Sequence, residues 1–385
     1  MAPRRPHLSL GIEEEYLIVD RATGELAISP PAGFMAACRD ALGPQVTHEL
    51  LQAQVEIGTS VCRDVSSLRR ELAGLRRTIA DCAAEFDLAL LAVSTHPSAS
   101  WRAQKSVDLD RYRILTEDFQ ALARRLVVCG MHIHAGVDDD ELRIDLMNQV
   151  TYFLPHLLAL STSSPFWEGQ ETGLTAFRPT IFGDLPRSGI PESFDSYADW
   201  QGLLTEMAEI GICDDPTKIW WDIRPSVKHP TLEMRVCDLC TRLEDAITIA
   251  AIYQSLLLFL YRLRSQNQTW RRYRLVLLQE NKWRGRLRPP AIGTVRRADR
   301  RADRPLEGRC GGVGLPAGAR ARPGRRQGWN QRRSPDQGLS GGTRRRSRAG
   351  RGASQGDRLA DRRVDGGCAG LSFGWFIAMS KQVVG

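Results

Sequence analysis

The chain has 385 residues, 42% of them hydrophobic, which is enough for one large domain or two ordinary ones with a sizeable core. Its formal net charge of +8 is unevenly placed: residues 285–385 hold 22 Arg and one Lys against seven acidic residues, so the first 284 residues stand at about −8. Composition therefore gives no case for nucleic-acid binding by the body and confines that class to the tail, while nine scattered cysteines suit reduced thiols in a cytoplasmic protein.

The segment MAPRRPHLSLG has two arginines but little apolar length, so no secretory signal is expected. LGIEEEYLIVD (10–20) has strand composition. Alternation sends Glu13 and Glu15 to one face and Glu14 to the other. Two like charges on one face of a mostly buried strand need something positive between them: an arginine pair, a shared proton or a metal ion. In LLQAQVEIGTSVC (50–62), Glu56 is a lone carboxylate in an apolar strand and also needs a partner. SSLRRELAGLRRTIADCAAEFDLALLAVS (66–94) reads as a helix that opens on Ser and runs into a strand.

RRLVVCGMHIHAGVD (124–138) reads as a strand that puts His132 and His134 on one face, about 6–7 Å apart. Neutral imidazoles so placed suit a metal or a phosphate, and equally two hydrogen-bonded histidines in a half-buried strand. LMNQVTYFLPHLLALSTSSPFW (146–167) reads as a buried helix ending in a Ser/Thr/Pro loop. RPTIFGDLPRSGIP (178–191) reads as a loop in which Arg178 and Arg187 can bind anions. WWDIRPS (220–226) places Arg224 in a pocket wall, where a guanidinium suits a carboxylate or phosphate. TLEMRVCD (231–238) is a strand with Glu233 and Arg235 on one face, a pattern that a surface charge pair would also give. Cys237 and Cys240 form a C-x-x-C with no second pair at zinc spacing, so no metal is expected there. AITIAAIYQSLLLFLY (246–261) is broken by Gln254 and Ser255 and reads as a buried helix too short to cross a membrane.

Strands and helices mixed without a βαβ rhythm give an α+β fold. From residue 285 onward Arg, Gly, Pro and Ala dominate and no apolar period survives. A disordered basic arm is one reading. Translation of a GC-rich gene out of frame fits better. Back-translated and shifted by one base, GWNQRRSPDQ (328–337) permits a segment beginning Gly-Thr-Ser-Ala-Asp, and GDRLADRRVDGG (356–367) permits an apolar string.

The carboxylates on separate strands, with His132 and His134, could hold two or three hard divalent ions, and Mg²⁺ prefers such oxygen donors. No P-loop and no G-x-G-x-x-G opens a helix, so any ATP would be held by the sheet. G-I-E-E-E, Q-V-E-I-G-T, G-M-H-I-H, F-R-P-T-I-F-G-D-L-P-R-S-G, W-W-D-I-R-P-S and L-E-M-R-V-C-D, in this order over residues 8–284, resemble the carboxylate–amine ligases of the glutamate–cysteine ligase type 2 group, relatives of glutamine synthetase in fold.

The resemblance implies an antiparallel sheet, flanked by helices, that forms a funnel-like active site. It implies Mg²⁺ on Glu13, Glu15, Glu56, His132 and Glu233, and ATP near His134, Arg224 and Arg235. Arg178, Arg187, Arg224 and Arg235 would clamp phosphate and carboxylate. The substrates implied are L-glutamate and L-cysteine or another amine, joined through a γ-glutamyl phosphate, as in glutathione biosynthesis; a homodimer fits, and no membrane or nucleic-acid partner is expected. The catalytic domain is placed at 1–284, lacking its C-terminal part, and the frame-shifted tail at 285–385. The competing classes are a metal-dependent hydrolase built on His132 and His134, and a nucleic-acid binder acting through the tail.

Overall fold

The computed structural model describes residues 5–287. The tail expected to be disordered lies outside them except for Gly285–Leu287, and those three residues are integrated into the fold. One antiparallel sheet organises the molecule. In chain order its strands are β1 (Leu10–Asp20), β2 (Val46–His48), β3 (Gln54–Gly58), β4 (Leu88–Leu91), β5 (Met131–Gly136), β6 (Ile223–Pro225) and β7 (Thr231–Met234). Their spatial order is β6-β7-β5-β1-β3-β2, with β4 also on β1. Leu17 of β1 faces Gln54 of β3 and Leu91 of β4, so β4 and β5 follow one another along the same edge of β1.

Burial alternates along β1 as a two-faced strand requires. Leu10, Ile12, Glu14 and Tyr16 are buried beneath the helices, while Gly11, Glu13 and Glu15 are only partly covered. The first of those helices, α1 (Val65–Ala84), presents Leu68, Leu72, Leu75, Ile79 and Cys82 to the core. Its cap is Asp64, two residues before the expected Ser: Ser67 N donates to Asp64 Oδ1 at 2.7 Å, and Asp64 N donates to Ser67 Oγ at 3.2 Å.

The single helix expected across 146–161 is two, α2 (Asp140–Val150) and α3 (Leu154–Ser161), separated by a 3₁₀ turn at Thr151–Phe153. Pro155 explains the break, because a ring without an N–H is tolerated only in a helix's first turn. Residues 178–191 likewise begin as a short helix, Arg178–Phe182, with Pro179 in its first turn, before they become a loop.

The helix α4 (Leu243–Ser265) corrects the reading by length. At 23 residues it is long and apolar enough to cross a membrane. Packing decides its place instead: Tyr253 Oη donates to Leu232 O at 3.2 Å, Gln254 Nε2 donates to Leu8 O at 2.7 Å, and Ala246, Ile249, Ala250, Leu257 and Leu260 are core residues. The last described helix, α5 (Leu275–Gly285), lies on α3. Gly285 permits this approach, since a Cβ there would stand 2.7 Å from Pro155 O.

Candidate active site

The partly covered face of the sheet forms the floor of a cavity of about 630 Å³. Register assembles that floor from five strands: Glu15 lies opposite Glu56, Glu13 opposite His132, His134 opposite Glu233, and Glu233 opposite Arg224. Residues more than 200 positions apart thus share one surface. Glu13, Glu15, Glu56, His132, His134, Arg224, Glu233 and Arg235 all line the cavity.

Arg178 and Arg187 do not line it. Arg178 is buried, donates to Cys237 O at 3.2 Å, and packs so closely on Gly130 that a Cβ there would collide with its guanidinium. Arg187 donates to Lys218 O at 3.3 Å and lies 5.8 Å from the Trp220 ring centre.

Two groups of donors could each hold a cation. Glu13, His134 and Glu233 form one, and Glu15, Glu49 and Glu56 the other; within each, one donor atom per residue lies within 4.8 Å of the rest. Glu49 was not found by reading the sequence. It follows β2, whose Thr47 pairs with Glu56, so only the β2–β3 register brings it in. His132 joins neither group and stands between them, Nδ1 at 3.2 Å from Glu13 Oε2 and Nε2 at 3.7 Å from Glu15 Oε1.

The two groups are balanced differently. Burial works to raise the Glu13 carboxyl, but hydrogen bonds and charge from His132 and His134 outweigh it and hold the group well below the usual range. Burial opposes Glu233 too, yet Arg235 and Arg224 bring it well down. Arg224 Nε donates to Glu233 Oε2 at 3.0 Å, and Arg235 pairs with Glu233 Oε1. Burial depresses His134, and Glu13 and Glu233 more than reverse this; His132 is depressed by burial and by Arg235.

Glu56 goes the other way. Burial, then the charges of Glu49, Glu13 and Glu15, push it far above a normal carboxyl. Partly buried carboxylates that repel each other across neighbouring strands are the oxygen donors a hard divalent ion takes. His134 fits as well: Nδ1 is engaged with Thr231 Oγ1 at 2.9 Å, and the buried Nε2 is left facing Glu13 Oε1 at 3.4 Å.

Residues 9–305 match the family described as glutamate-cysteine ligase family 2. A protein of Rhodospirillum rubrum provisionally named glutamate–cysteine ligase 2 is 51% identical over 285 residues, which cover 73% of each chain. One of the same provisional name from Paracoccus denitrificans is 52% identical over 279 residues, 72% of this chain and 74% of its own. Among solved structures, a bifunctional glutathione synthetase from Pasteurella multocida superposes with a TM-score of 0.55 at 16% identity, over 72% of this chain and 41% of that one. A glutamate–cysteine ligase from Francisella tularensis in complex with AMP gives 0.52 at 15% identity, over 74% and 71%. These two likenesses concern the fold.

Proposed function

The chain belongs to glutamate-cysteine ligase family 2, and from that premise we propose that it is an ATP-dependent carboxylate–amine ligase that joins the γ-carboxyl of L-glutamate to an amine, L-cysteine first among the candidates. The observation that carries this reading is the pairing of two acidic donor groups with two arginines, Arg224 and Arg235, on one cavity floor. A carboxylate is a poor electrophile, and phosphorylation gives it a leaving group. In the reaction proposed, a γ-carboxylate oxygen of glutamate takes the terminal phosphoryl group of ATP, and ADP departs. The amine then forms the C–N bond while phosphate leaves with the former C–O electrons.

Glu15, Glu49 and Glu56 would hold one divalent ion, and Glu13, His134 and Glu233 a second, with His132 between Glu13 of one group and Glu15 of the other. Such ions supply neutralisation of phosphate charge. The residues themselves orient and screen: Arg224, buried, and Arg235, partly buried, beside the donors are suited to the charge that develops on the transferring oxygens. Lys218 and Lys228 at the cavity wall are suited to the nucleotide's other phosphates. Arg178 and Arg187, outside the cavity, act through the loops they fasten. All seven cysteines among the described residues are free and buried, in keeping with a reducing compartment such as the cytoplasm.

The experiment is ADP release by the purified chain with Mg²⁺, ATP and glutamate, with and without cysteine and a panel of small amines. Release that requires both glutamate and an amine is expected and names the acceptor. Release without glutamate would overturn the proposal.

A further inference from the structure

Behind Arg235 lies a second cavity of about 20 Å³, room for roughly one water. Arg178, Asp222, Arg235 and Lys282 line it. Arg235, Phe182 and Trp220 border both cavities, so the small one adjoins the large one through the Arg235 side chain. Lys282 reaches in from α5 and grips the Asp222 carboxylate with Nζ at 2.6 and 2.8 Å. The two side chains are only 14% and 11% exposed. Asp222 is also the backbone neighbour of Arg235, whose N–H donates to Asp222 O at 2.8 Å.

Arg235 therefore pairs with one buried carboxylate, Glu233, and shares the small cavity with a second, Asp222. On the large-cavity side it pairs with Glu233 and stands 3.3 Å from His132 Nδ1. The Arg235 Nε is buried without a hydrogen-bond partner. Glu233 has Arg224 as a second partner and would keep a counter-charge if Arg235 left. Asp222 is faced by Lys282 from α5 and by Arg178 and Arg235 across the cavity, with the Arg286 charge also near. Of these, Lys282 alone has Asp222 as its salt-bridge partner among the described residues. A buried carboxylate deprived of its partner is left uncompensated, and a neighbouring cation that reaches it relieves the cost.

We propose that Lys282 is a positioning residue: by occupying the Asp222 carboxylate it keeps the Arg235 guanidinium on the Glu233 side, over the reacting groups. Its kinetic consequence rests on the ligase reading; its structural consequence does not. The helix that delivers Lys282 is the last described one and is fixed by Gly285 against α3 and by Thr175 N donating to Arg286 O at 2.7 Å. A C-terminal element outside the sheet thus controls a side chain on the cavity floor.

The test compares Lys282→Met, Lys282→Arg and the double variant Lys282→Met with Asp222→Asn, all assayed below their melting temperatures. Lys282→Met is expected to lower kcat for ADP release about 100-fold with the KM for glutamate changed less than about threefold, the loss of one aimed donor. The double variant should regain at least about tenfold, because the capturing charge is gone, and Lys282→Arg should stay near wild type. A crystal structure of Lys282→Met should show Arg235 on Asp222. A double variant no faster than Lys282→Met, or an Arg235 still on Glu233 in that crystal, overturns the proposal. Should Lys282→Met not fold, Lys282→Gln takes its place in both arms. If wild type releases no ADP, the ligase reading falls, and the crystal alone decides the positioning claim.

Discussion

The two faces of β1 carry carboxylates one residue apart and treat them in opposite ways. Glu14 faces the helices, is fully buried, and meets Arg76 of α1 in a two-pronged pair, with Nη2–Oε1 at 2.6 Å and Nε–Oε2 at 2.8 Å. Tyr16 Oη donates to the same carboxylate, and Arg76 Nη2 also donates to Cys240 O at 3.0 Å. Every charge there has a fixed partner. On the cavity face, Glu15, Glu49 and Glu56 stand together, and burial, then the charges of its neighbours, push the Glu56 carboxyl far above the ordinary range. One face is closed electrostatically by the chain itself, while the other keeps a cluster of carboxylates that repel one another.

The strongest way to break this comparison is Glu56→Gln. Activity should fall about 1000-fold, as for a lost electrostatic group in a preorganised site. The unliganded protein should become more stable by about 1 kcal/mol, because the penalty that burial and the neighbouring carboxylates place on ionising Glu56 is removed; a fall in the denaturation midpoint would refute this. The mirror test is Glu14→Gln, which strands Arg76. It should cost about 3–5 kcal/mol in chemical denaturation, with kcat per folded molecule unchanged, and replacing Glu14 and Arg76 together by Leu and Met should restore most of the loss.

A third test sharpens the contrast without touching the fold. Mg²⁺ at about 100 times its Kd should stabilise the wild type by about 2.7 kcal/mol in thermal melts, and chelation should reverse it. Glu49→Gln and Glu56→Gln should lose that stabilisation, while the double replacement of Glu14 and Arg76 should keep it. The smallest effect concerns Glu71 of α1. Burial works to raise this carboxyl, but Ser60 N at 2.6 Å and Gln45 Nε2 at 2.8 Å bring it below the ordinary 4.5. Its contribution is therefore present above about pH 4.5 and is lost as pH falls through the lowered value. Against wild type, Glu71→Gln should show a flatter stability profile below that pH.

Alternation in LGIEEEYLIVD was enough to separate Glu14 from Glu13 and Glu15, and the strand pattern around His132, His134, Glu233 and Arg235 was enough to place each pair on one face. These are local rules of period two, readable wherever a strand is recognised. Length was a poor guide for α4, whose 23 residues would reach across a membrane; the partners on both sides of it settled the matter. Nor could local rules reveal that Arg178 and Arg187 lie outside the cavity lining, since loop chemistry allows a guanidinium to point either way.

By itself the sequence determined which residues could do the chemistry: the acidic strands, the paired histidines, and the Arg224, Glu233 and Arg235 set. Only the tertiary structure decided which of them meet. Glu49 enters through the β2–β3 register, Arg76 through the helix laid on the back of β1, and Lys282 through a helix that reaches Asp222 across 60 positions of chain. The physical reason is that side-chain direction is fixed by neighbours one or two residues away, whereas charge partners are chosen by packing between segments far apart in the chain.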